Sequence, residues 1–313
     1  MAATDALLPH VALRQLKLFF ALSRTPHGVL DIATPAVAAL LWYGSLPPLG
    51  IILLGLITAF AGYTAVYALN DLVDHRVDRK KWAGGGFKET KNYLDAVLIR
   101  HPVACGLLTF KEGLWWTAGW ALLALAGAYL LNPVCVLIFL IVCLLETIYC
   151  LLWKTSALRV FISGAVKTGG GVAAVFAVDP TPSSPFLALF FFWLFFWEIG
   201  GQNIPADWTD IAEDRLLQAK TIPLQLGPGR TTWMIVSSLI VAMALNAALL
   251  SLSHLETKLP AMVAAACAGL YLLLIPAYRL FKAQEKSRAA ILFNKASYYP
   301  PAMLVIVGFA TLI

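Results

Sequence analysis

Two clusters of acidic and amide side chains lie far apart in the sequence, and each one follows a long apolar stretch. The first comprises Asn70, Asp71, Asp74 and Asp78, and the second comprises Asn203, Asp207, Asp210 and Asp214. Carboxylates beside hydrocarbon are costly unless they bind something cationic. Because the chain has only 17 acidic residues, their concentration at two such places predicts a cation-dependent site.

The spacing within each cluster puts its side chains on one face of a helix. Asn70, Asp74 and Asp78 are four residues apart, and the second cluster advances by four, three and four residues. Side chains at these intervals are neighbours on a helix surface, so the like charges repel unless a divalent cation intervenes. Mg²⁺ binds a few carboxylate oxygens together with substrate phosphates. The pattern therefore predicts Mg²⁺ and a diphosphate between two facing helices; a solvated helix end explains one such cluster but not two.

The composition identifies the helices that position these clusters as membrane spans. Hydrophobic residues make up 60% of the 313 residues and charged residues 13%, whereas soluble domains carry about a quarter charged residues. A span needs about 20 apolar residues. The sequence predicts nine, near residues 16–44, 49–71, 113–131, 133–153, 158–178, 184–207, 229–251, 259–280 and 296–313. Because backbone polar groups in a bilayer must be paired within the segment, the expected fold class is all-α.

The basic residues predict the orientation of the spans. All but two of the 23 Lys and Arg residues fall in the amino-terminal segment or in loops that follow even-numbered spans; the exceptions are Lys167 and Lys258. This asymmetry places the amino terminus and both acidic clusters in the cytoplasm, at a bacterial inner membrane or an organelle membrane. The net charge of +6 then indicates contact with anionic lipid and not with nucleic acid. No obligate protein partner is inferred, and no cleavable signal peptide is predicted.

The placement of the two clusters suggests an internal symmetry. Spans one to four and spans five to eight each carry one cluster at the end of their second member, which predicts two four-helix halves around a central cavity, with span nine outside them. The chain is expected to form a single domain over residues 1–313, with cytoplasmic cap loops near 72–112 and 208–229. A loop as long as the first is uncommon unless it is functional.

The two motifs together resemble those of the intramembrane prenyltransferase (UbiA) superfamily, over roughly residues 20 to 310. The resemblance rests on Asn-Asp-x-x-Asp-x-x-x-Asp from Asn70 and on Asp-x-x-Asp-x-x-x-Asp from Asp207. Shorter similar segments begin at Lys220 (Lys-Thr-Ile-Pro), at Tyr149 (followed by Lys154) and at His101 (His-Pro, where relatives have Arg-Pro). The resemblance implies Mg²⁺-dependent transfer of an isoprenyl group from an allylic prenyl diphosphate to a lipophilic acceptor, typically an aromatic or quinone precursor.

The resemblance also assigns roles to individual residues. The metal and catalytic set is expected to be Asp71, Asp74, Asp78, Asp207, Asp210 and Asp214, and the substrate-binding set is Asn70, Asn203, Tyr149, Lys154, Lys220 and Arg24. Lys154 and Lys220 are expected to contact phosphate. For Arg24, contact with phosphate and extension toward the membrane surface are equal alternatives. Aromatic faces are expected to stabilise the allyl cation, although Tyr149 and its neighbours also suit an interfacial aromatic belt.

Other interpretations remain open at this stage. A terpene cyclase on the same scaffold would ionise the same diphosphate and capture the cation within the same molecule. An ion-coupled transporter ranks lower, because transporters place their ions near the bilayer midplane. Glu198, predicted to lie deeper in the cavity than Asp207, either accepts a proton during the reaction or pairs with Lys167.

Overall fold

The computed structural model describes residues 13–84, 94 and 97–312, and every regular element in that part of the chain is helical. A helical stretch at residues 13–22 comes first. The α-helices that follow are α1 (Thr25–Asp31), α2 (Ala33–Tyr43), α3 (Leu49–Ala83), α4 (Phe110–Leu131), α5 (Pro133–Leu151), α6 (Arg159–Val178), α7 (Ser184–Trp197), α8 (Ile204–Thr209), α9 (Ile211–Leu216), α10 (Ile222–Leu252), α11 (Lys258–Gly269), α12 (Ile275–Ala283), α13 (Lys286–Ser297) and α14 (Tyr299–Leu312). A 3₁₀ turn (Leu152–Lys154) follows α5, and π-helical turns join α7 to α8 (Glu198–Asn203) and α11 to α12 (Leu270–Leu274).

Seven of the described helical segments are long and apolar enough to cross a membrane. They are Leu49–Ala83, Phe110–Leu131, Pro133–Lys154, Arg159–Val178, Ser184–Thr209, Ile222–Leu252 and Lys258–Ala283. Each corresponds to one of the predicted spans, from the second to the eighth. The expectation of an all-α, multi-pass membrane protein is therefore confirmed for the described residues.

The first predicted span is divided into shorter helices, and the ninth is shorter than predicted. The first is interrupted at Arg24, whose backbone is left-handed (φ 44°), and again at Ile32. The ninth corresponds to α14, whose 14 residues, at about 1.5 Å per residue, are shorter than a hydrocarbon core of about 30 Å. Pro300 and Pro301 lie in its first turn, where a missing amide N–H is tolerated. Hydropathy sums cannot detect such breaks, because they carry no information on backbone dihedral angles.

Helix α3 is longer than the apolar stretch from which it was predicted. It has 35 residues and ends with Lys80 and Lys81 in its last turn, where cations stabilise the carboxyl end of a helix. Residues 72–83 of the expected first cap are thus helix and not loop, while residues 85–93 and 95–96 of that cap lie outside the described residues. The second expected cap, 208–229, contains α9 and the first turns of α10.

Helix α6 lies close to both of its neighbours because its central residues are glycines. A Cβ atom at Gly169 would lie 2.2 Å from a methyl carbon of Val142 on α5, and one at Gly171 would lie 2.2 Å from the ring of Phe190 on α7. Small residues in this run thus let α6 pack closely against both neighbouring helices. Such close packing fixes the rotation of α6, and with it the positions of its polar residues Ser163 and Lys167.

Candidate active site

The first aspartate ladder, Asp71, Asp74 and Asp78, lies on the last turns of α3. Asp74 and Asp78 line a large cavity between the helices together with Asn70, as their four-residue spacing predicts. Asp71 lies behind this face and is 2% exposed. Its Oδ1 atom is 2.5 Å from Nδ1 of His101, which is also 2.9 Å from Oδ2 of Asp78.

The second aspartate ladder, Asp207, Asp210 and Asp214, lines the same cavity together with Asn203. The helix that carries it is not continuous, because π-helical turns precede α8 and the backbone bends at Asp210 (φ −103°, ψ 12°) before α9. Single π turns inside helices often occur at functional sites. The predicted common face is therefore formed by three short helical segments and not by one straight helix.

Three cations pair with the second ladder, and one of them comes from the helix of the first. The nitrogen–oxygen distances are 2.8 Å for Lys81–Asp214, 3.3 Å for Arg100–Asp210 and 2.7 Å for Arg159–Asp207. Lys81 extends from the helix of the first ladder to the end of the second, so the ladders face each other across one space. We refer to the six aspartates with Lys81, Arg100, His101 and Arg159 as the mouth cluster.

The charges in the mouth cluster influence one another strongly. Burial opposes the charge on His101, but the carboxylates of Asp78 and Asp71 outweigh burial and raise its pKa to about 9. For Asp210, burial is outweighed by the Arg100 guanidinium and by Lys81, which lower its pKa to about 2. Burial instead raises the pKa of Asp214 to about 7, although Lys81 acts in the opposite direction. A protonated imidazole next to an ionised carboxylate is thus the expected state of this region near neutral pH.

Two residues of the site have strained backbones. Arg24 and His101 are both left-handed, with φ of 44° and 53°, a conformation that is uncommon outside glycine. Residues held in this way often occur at binding and catalytic sites. The strain directs both side chains into the cavity, where Arg24 donates to Oδ1 of Asn70 at 3.0 Å. For Arg24, the cavity alternative is thus favoured over extension toward the membrane surface.

The cavity extends from the mouth cluster through the whole helical bundle. Its volume is about 470 Å³, and its far end is lined by Leu46 and Pro47 in the loop before α3 and by Val178 at the end of α6. An elongated, mostly apolar space that begins at a charged mouth fits a molecule with a polar head and a long hydrocarbon tail.

A second group of charges, the deep cluster of Asp31, Lys167 and Glu198, lies farther along this cavity. Lys167 Nζ is 2.6 Å from Oδ2 of Asp31 and 4.0 Å from Oε2 of Glu198. Glu198 lies deeper than Asp207 and lines the cavity, as predicted. The predicted pairing of Glu198 with Lys167 is present, but Asp31 is the closer partner of the lysine.

The expected substrate-binding residues are brought together only in part. Tyr149 lines the cavity, and its hydroxyl accepts a hydrogen bond of 2.9 Å from Nδ2 of Asn203. Lys154 and Lys220, by contrast, are exposed and do not line the cavity. Lys154 lies at the end of the short 3₁₀ turn that follows α5, and its ammonium lies over the Trp153 ring, 5.8 Å from the ring centre.

The cations that do line the mouth were not selected from the sequence. Lys81, Arg100 and Arg159 take the positions that Lys154 and Lys220 were expected to hold. Lys81 had a local signal, since it follows Asp78 by three residues and thus lies near it on the helix. Arg100 has no such signal, because its partner Asp210 lies 110 residues further along the chain.

Three comparisons with known proteins bear on this arrangement. A family model described as the UbiA prenyltransferase family matches residues 32–299. A solved structure of a digeranylgeranylglyceryl phosphate synthase has a TM-score of 0.68 and 16% sequence identity, covering 96% of this chain and 100% of that one. An apo UbiA homologue from Aeropyrum pernix K1 has a TM-score of 0.69 and 20% sequence identity, covering 91% of this chain and 97% of that one.

A UbiA homologue from Archaeoglobus fulgidus bound to DMAPP and Mg²⁺ has a TM-score of 0.66 and 15% identity, covering 93% of this chain and 99% of that one. No curated protein matches the chain significantly in sequence. At these identities the structural likeness establishes the fold alone.

Proposed function

The chain belongs to the UbiA prenyltransferase family, and we propose on this premise that it transfers an isoprenyl group from an allylic prenyl diphosphate to a lipophilic aromatic or quinone-precursor acceptor, with Mg²⁺ as cofactor. The UbiA homologue from Archaeoglobus fulgidus was solved with DMAPP and Mg²⁺ and also with GPP and Mg²⁺. Both ligands are allylic diphosphates that differ in chain length.

The observation that best supports this proposal is that aspartates from both ladders line one cavity. Lys81 on the helix of the first ladder lies 2.8 Å from Asp214 of the second. One diphosphate headgroup can therefore contact both ladders while its hydrocarbon tail extends toward Leu46. A solvated pair of unrelated helix ends would not produce this contact.

The donor atoms of the mouth cluster fit a hard divalent cation. Mg²⁺ prefers carboxylate oxygens and substrate phosphates, and the six ladder aspartates supply only carboxylate oxygens. Oδ2 of Asp71 is buried and has no hydrogen-bond partner among the described residues. Carboxylate oxygens of Asp71 and Asp78 lie within 4.8 Å of each other. We expect Asp71, Asp74, Asp78, Asp207, Asp210 and Asp214 to hold Mg²⁺, which when bound neutralises the charge of the diphosphate.

The basic residues of the mouth cluster contact the leaving diphosphate in this proposal. Lys81, Arg100 and Arg159 offer N–H donors at the cavity wall, and charged donors in a desolvated site stabilise developing negative charge strongly. When the bond between C1 and oxygen breaks, its electron pair stays with the diphosphate. C1 then bonds to the acceptor, and the acceptor loses a proton.

Aromatic rings near the mouth suit the allylic cation formed at C1. Tyr67, Tyr149 and Trp153 line the cavity, and π faces stabilise cations in a desolvated site. Arg159 already lies 4.5 Å from the centre of the Tyr149 ring, and Lys81 lies 4.9 Å from that of Trp153. Each of these two rings thus already has a cationic group over its face.

We also propose the finer topology. In this topology the segments of the first and ninth predicted spans also cross the bilayer, which gives nine spans. These spans form two four-helix halves around the cavity, and residues 1–313 form a single domain. The amino terminus and the mouth cluster are cytoplasmic, as the distribution of basic residues indicates. Labelling of single-cysteine variants from each side of the membrane tests this orientation; reaction of a loop cysteine from the opposite side would reverse it.

The decisive experiment measures prenyl transfer by the purified protein. Geranyl diphosphate and Mg²⁺ are combined with phenolic, quinone-type or glycerol-type acceptors, and diphosphate and prenylated product are quantified. We expect product only with both Mg²⁺ and an acceptor, and none with EDTA. Hydrocarbon release without an acceptor would indicate a cyclase instead, and no Mg²⁺-dependent diphosphate release from any prenyl donor would overturn the proposal.

A further inference from the structure

The deep cluster has a gap between its cation and one of its acids. Lys167 donates to Asp31 at 2.6 Å and to the Tyr67 hydroxyl at 3.1 Å, which uses two of its three N–H groups. Its distance of 4.0 Å to Oε2 of Glu198 is too long for a hydrogen bond. One ammonium N–H thus remains for a group between the lysine and Glu198.

Glu198 also has an unused atom at this gap. Its Oε1 accepts a hydrogen bond of 2.8 Å from Ser163, but Oε2 has no hydrogen-bond partner among the described residues. Glu198 is only 7% exposed and lines the cavity, as does Lys167. A hydroxyl oxygen about 2.8 Å from both atoms would accept from the ammonium and donate to the carboxylate. A hydroxyl group therefore satisfies both partners at once.

The charges around the gap disfavour an anion. The deep cluster contains two carboxylates and one ammonium, and the adjacent cavity wall adds Arg24 and Glu146, one of each sign. The Nε2 atom of His27 lies 3.8 Å from Asp31. A positive charge on His27 would only neutralise the one carboxylate that is in excess. A bound carboxylate or phosphate would therefore lie against Glu198 with only the Lys167 ammonium beside it, and that ammonium already pairs with Asp31. Such an excess of negative charge is costly in a desolvated site.

The distance between this gap and the mouth cluster is suitable for an acceptor that reacts with the prenyl donor. On α6, Arg159, Ser163 and Lys167 follow one another at four-residue intervals, and Arg159 pairs with Asp207 of the second ladder. At about 1.5 Å per residue, Lys167 lies roughly 12 Å along the helix from Arg159. This interval leaves room for the diphosphate, the reacting carbon and one aromatic ring.

We propose that the gap between Lys167 and Glu198 binds the hydroxyl group of the acceptor, and that the acceptor is a neutral hydroxyaryl compound and not a carboxylate. The inference rests on the proposed function and narrows its acceptor class. Ser163 acts as a positioning residue, since it donates to Oε1 of Glu198 and accepts from Asn203 at 3.0 Å.

The test is a binding comparison with two probes that share one alkyl tail, an alkylphenol and the matching alkylbenzoate. Titration calorimetry of the purified protein, without prenyl donor, should give a phenol affinity at least about tenfold above that of the benzoate, since the site hydrogen-bonds one and repels the other. In Glu198→Gln the benzoate should gain affinity and the phenol lose it, so that the ratio falls to about one.

Glu146→Gln is the matched control, because Glu146 is equally buried in the same cavity but already accepts a hydrogen bond from Asn70. It should keep the wild-type ratio. A wild-type protein that binds the benzoate as tightly as the phenol would overturn the inference, and so would an unchanged ratio in Glu198→Gln. Mg²⁺-dependent binding of geranyl diphosphate, measured on the same preparations, tests the proposed function separately.

Discussion

The mouth cluster and the deep cluster use the same kinds of side chain but differ in how their charges are balanced. In the mouth cluster, six aspartates face cations that come from α3, α6 and the segment before α4. In the deep cluster, a single lysine lies between two acids within the cavity wall. The mouth cluster therefore has several separate ion pairs, each of which a bound headgroup can replace. The charge balance of the deep cluster depends on Lys167 alone. The comparison suggests that the mouth cluster serves chemistry and the deep cluster serves both packing and recognition.

The largest expected effect is the loss of a ladder carboxylate at the mouth. Asp207→Ala, or Asp71→Ala, should lower prenyl transfer by about 10³-fold, because charge stabilisation of the leaving group is lost, while membrane insertion is retained. Turnover of the purified variants measures the effect. Glu213→Ala, next to Asp214 but outside the cavity lining, is the control, and wild-type rates in either aspartate variant would remove the metal assignment.

The deep cluster should show its largest effect on stability. Lys167→Met leaves Asp31 and Glu198 buried without their cation, and removal of one partner from a buried ion pair costs about 3–5 kcal/mol. The midpoint of thermal unfolding in detergent should fall clearly, in contrast to exposed Lys286→Met. An unchanged midpoint would contradict the central role of this ion pair.

A smaller effect is expected from the cation that connects the ladders. Lys81→Gln removes a charge-assisted contact worth about 1.5–3 kcal/mol, so kcat/KM for the prenyl diphosphate should fall by about 10–100-fold. Its neighbour Lys80 is exposed, which makes Lys80→Gln a close control. Equal rates for the two variants would mean that Lys81 does not contact the donor.

The smallest effect is expected where the two clusters meet. Tyr149→Phe removes one neutral hydrogen bond to Asn203, worth about 0.5–1.5 kcal/mol, and keeps the ring that faces the cavity. The expected result is a loss of about two- to tenfold in kcat/KM, with no change for Tyr129→Phe, whose side chain is 65% exposed. A much larger loss would show that the hydroxyl, and not the ring, has the main role.

The parts of the site that the sequence predicted are those on regular helix. The positions of Asn70, Asp74 and Asp78 on the cavity face follow from helical periodicity, and the apolar stretches locate seven spans. Lys154 and Lys220 were chosen because they lie in segments that resemble the family and on the same predicted face of the membrane, but both are exposed outside the cavity. Depth along a span can be read from hydropathy, but the rotation of a side chain around its helix near a 3₁₀ turn cannot.

The sequence alone determined the membrane class, the helical periodicity and the two ladders, because each depends on residue types within a short stretch of chain. Only the tertiary structure decided which cations face those ladders and that Lys167 lies between Asp31 and Glu198. These pairings join residues far apart in the chain, and they depend on the π-helical turns before α8, the close glycine contacts of α6 and the left-handed backbone at His101. Such features arise from packing between helices, which local sequence patterns do not encode.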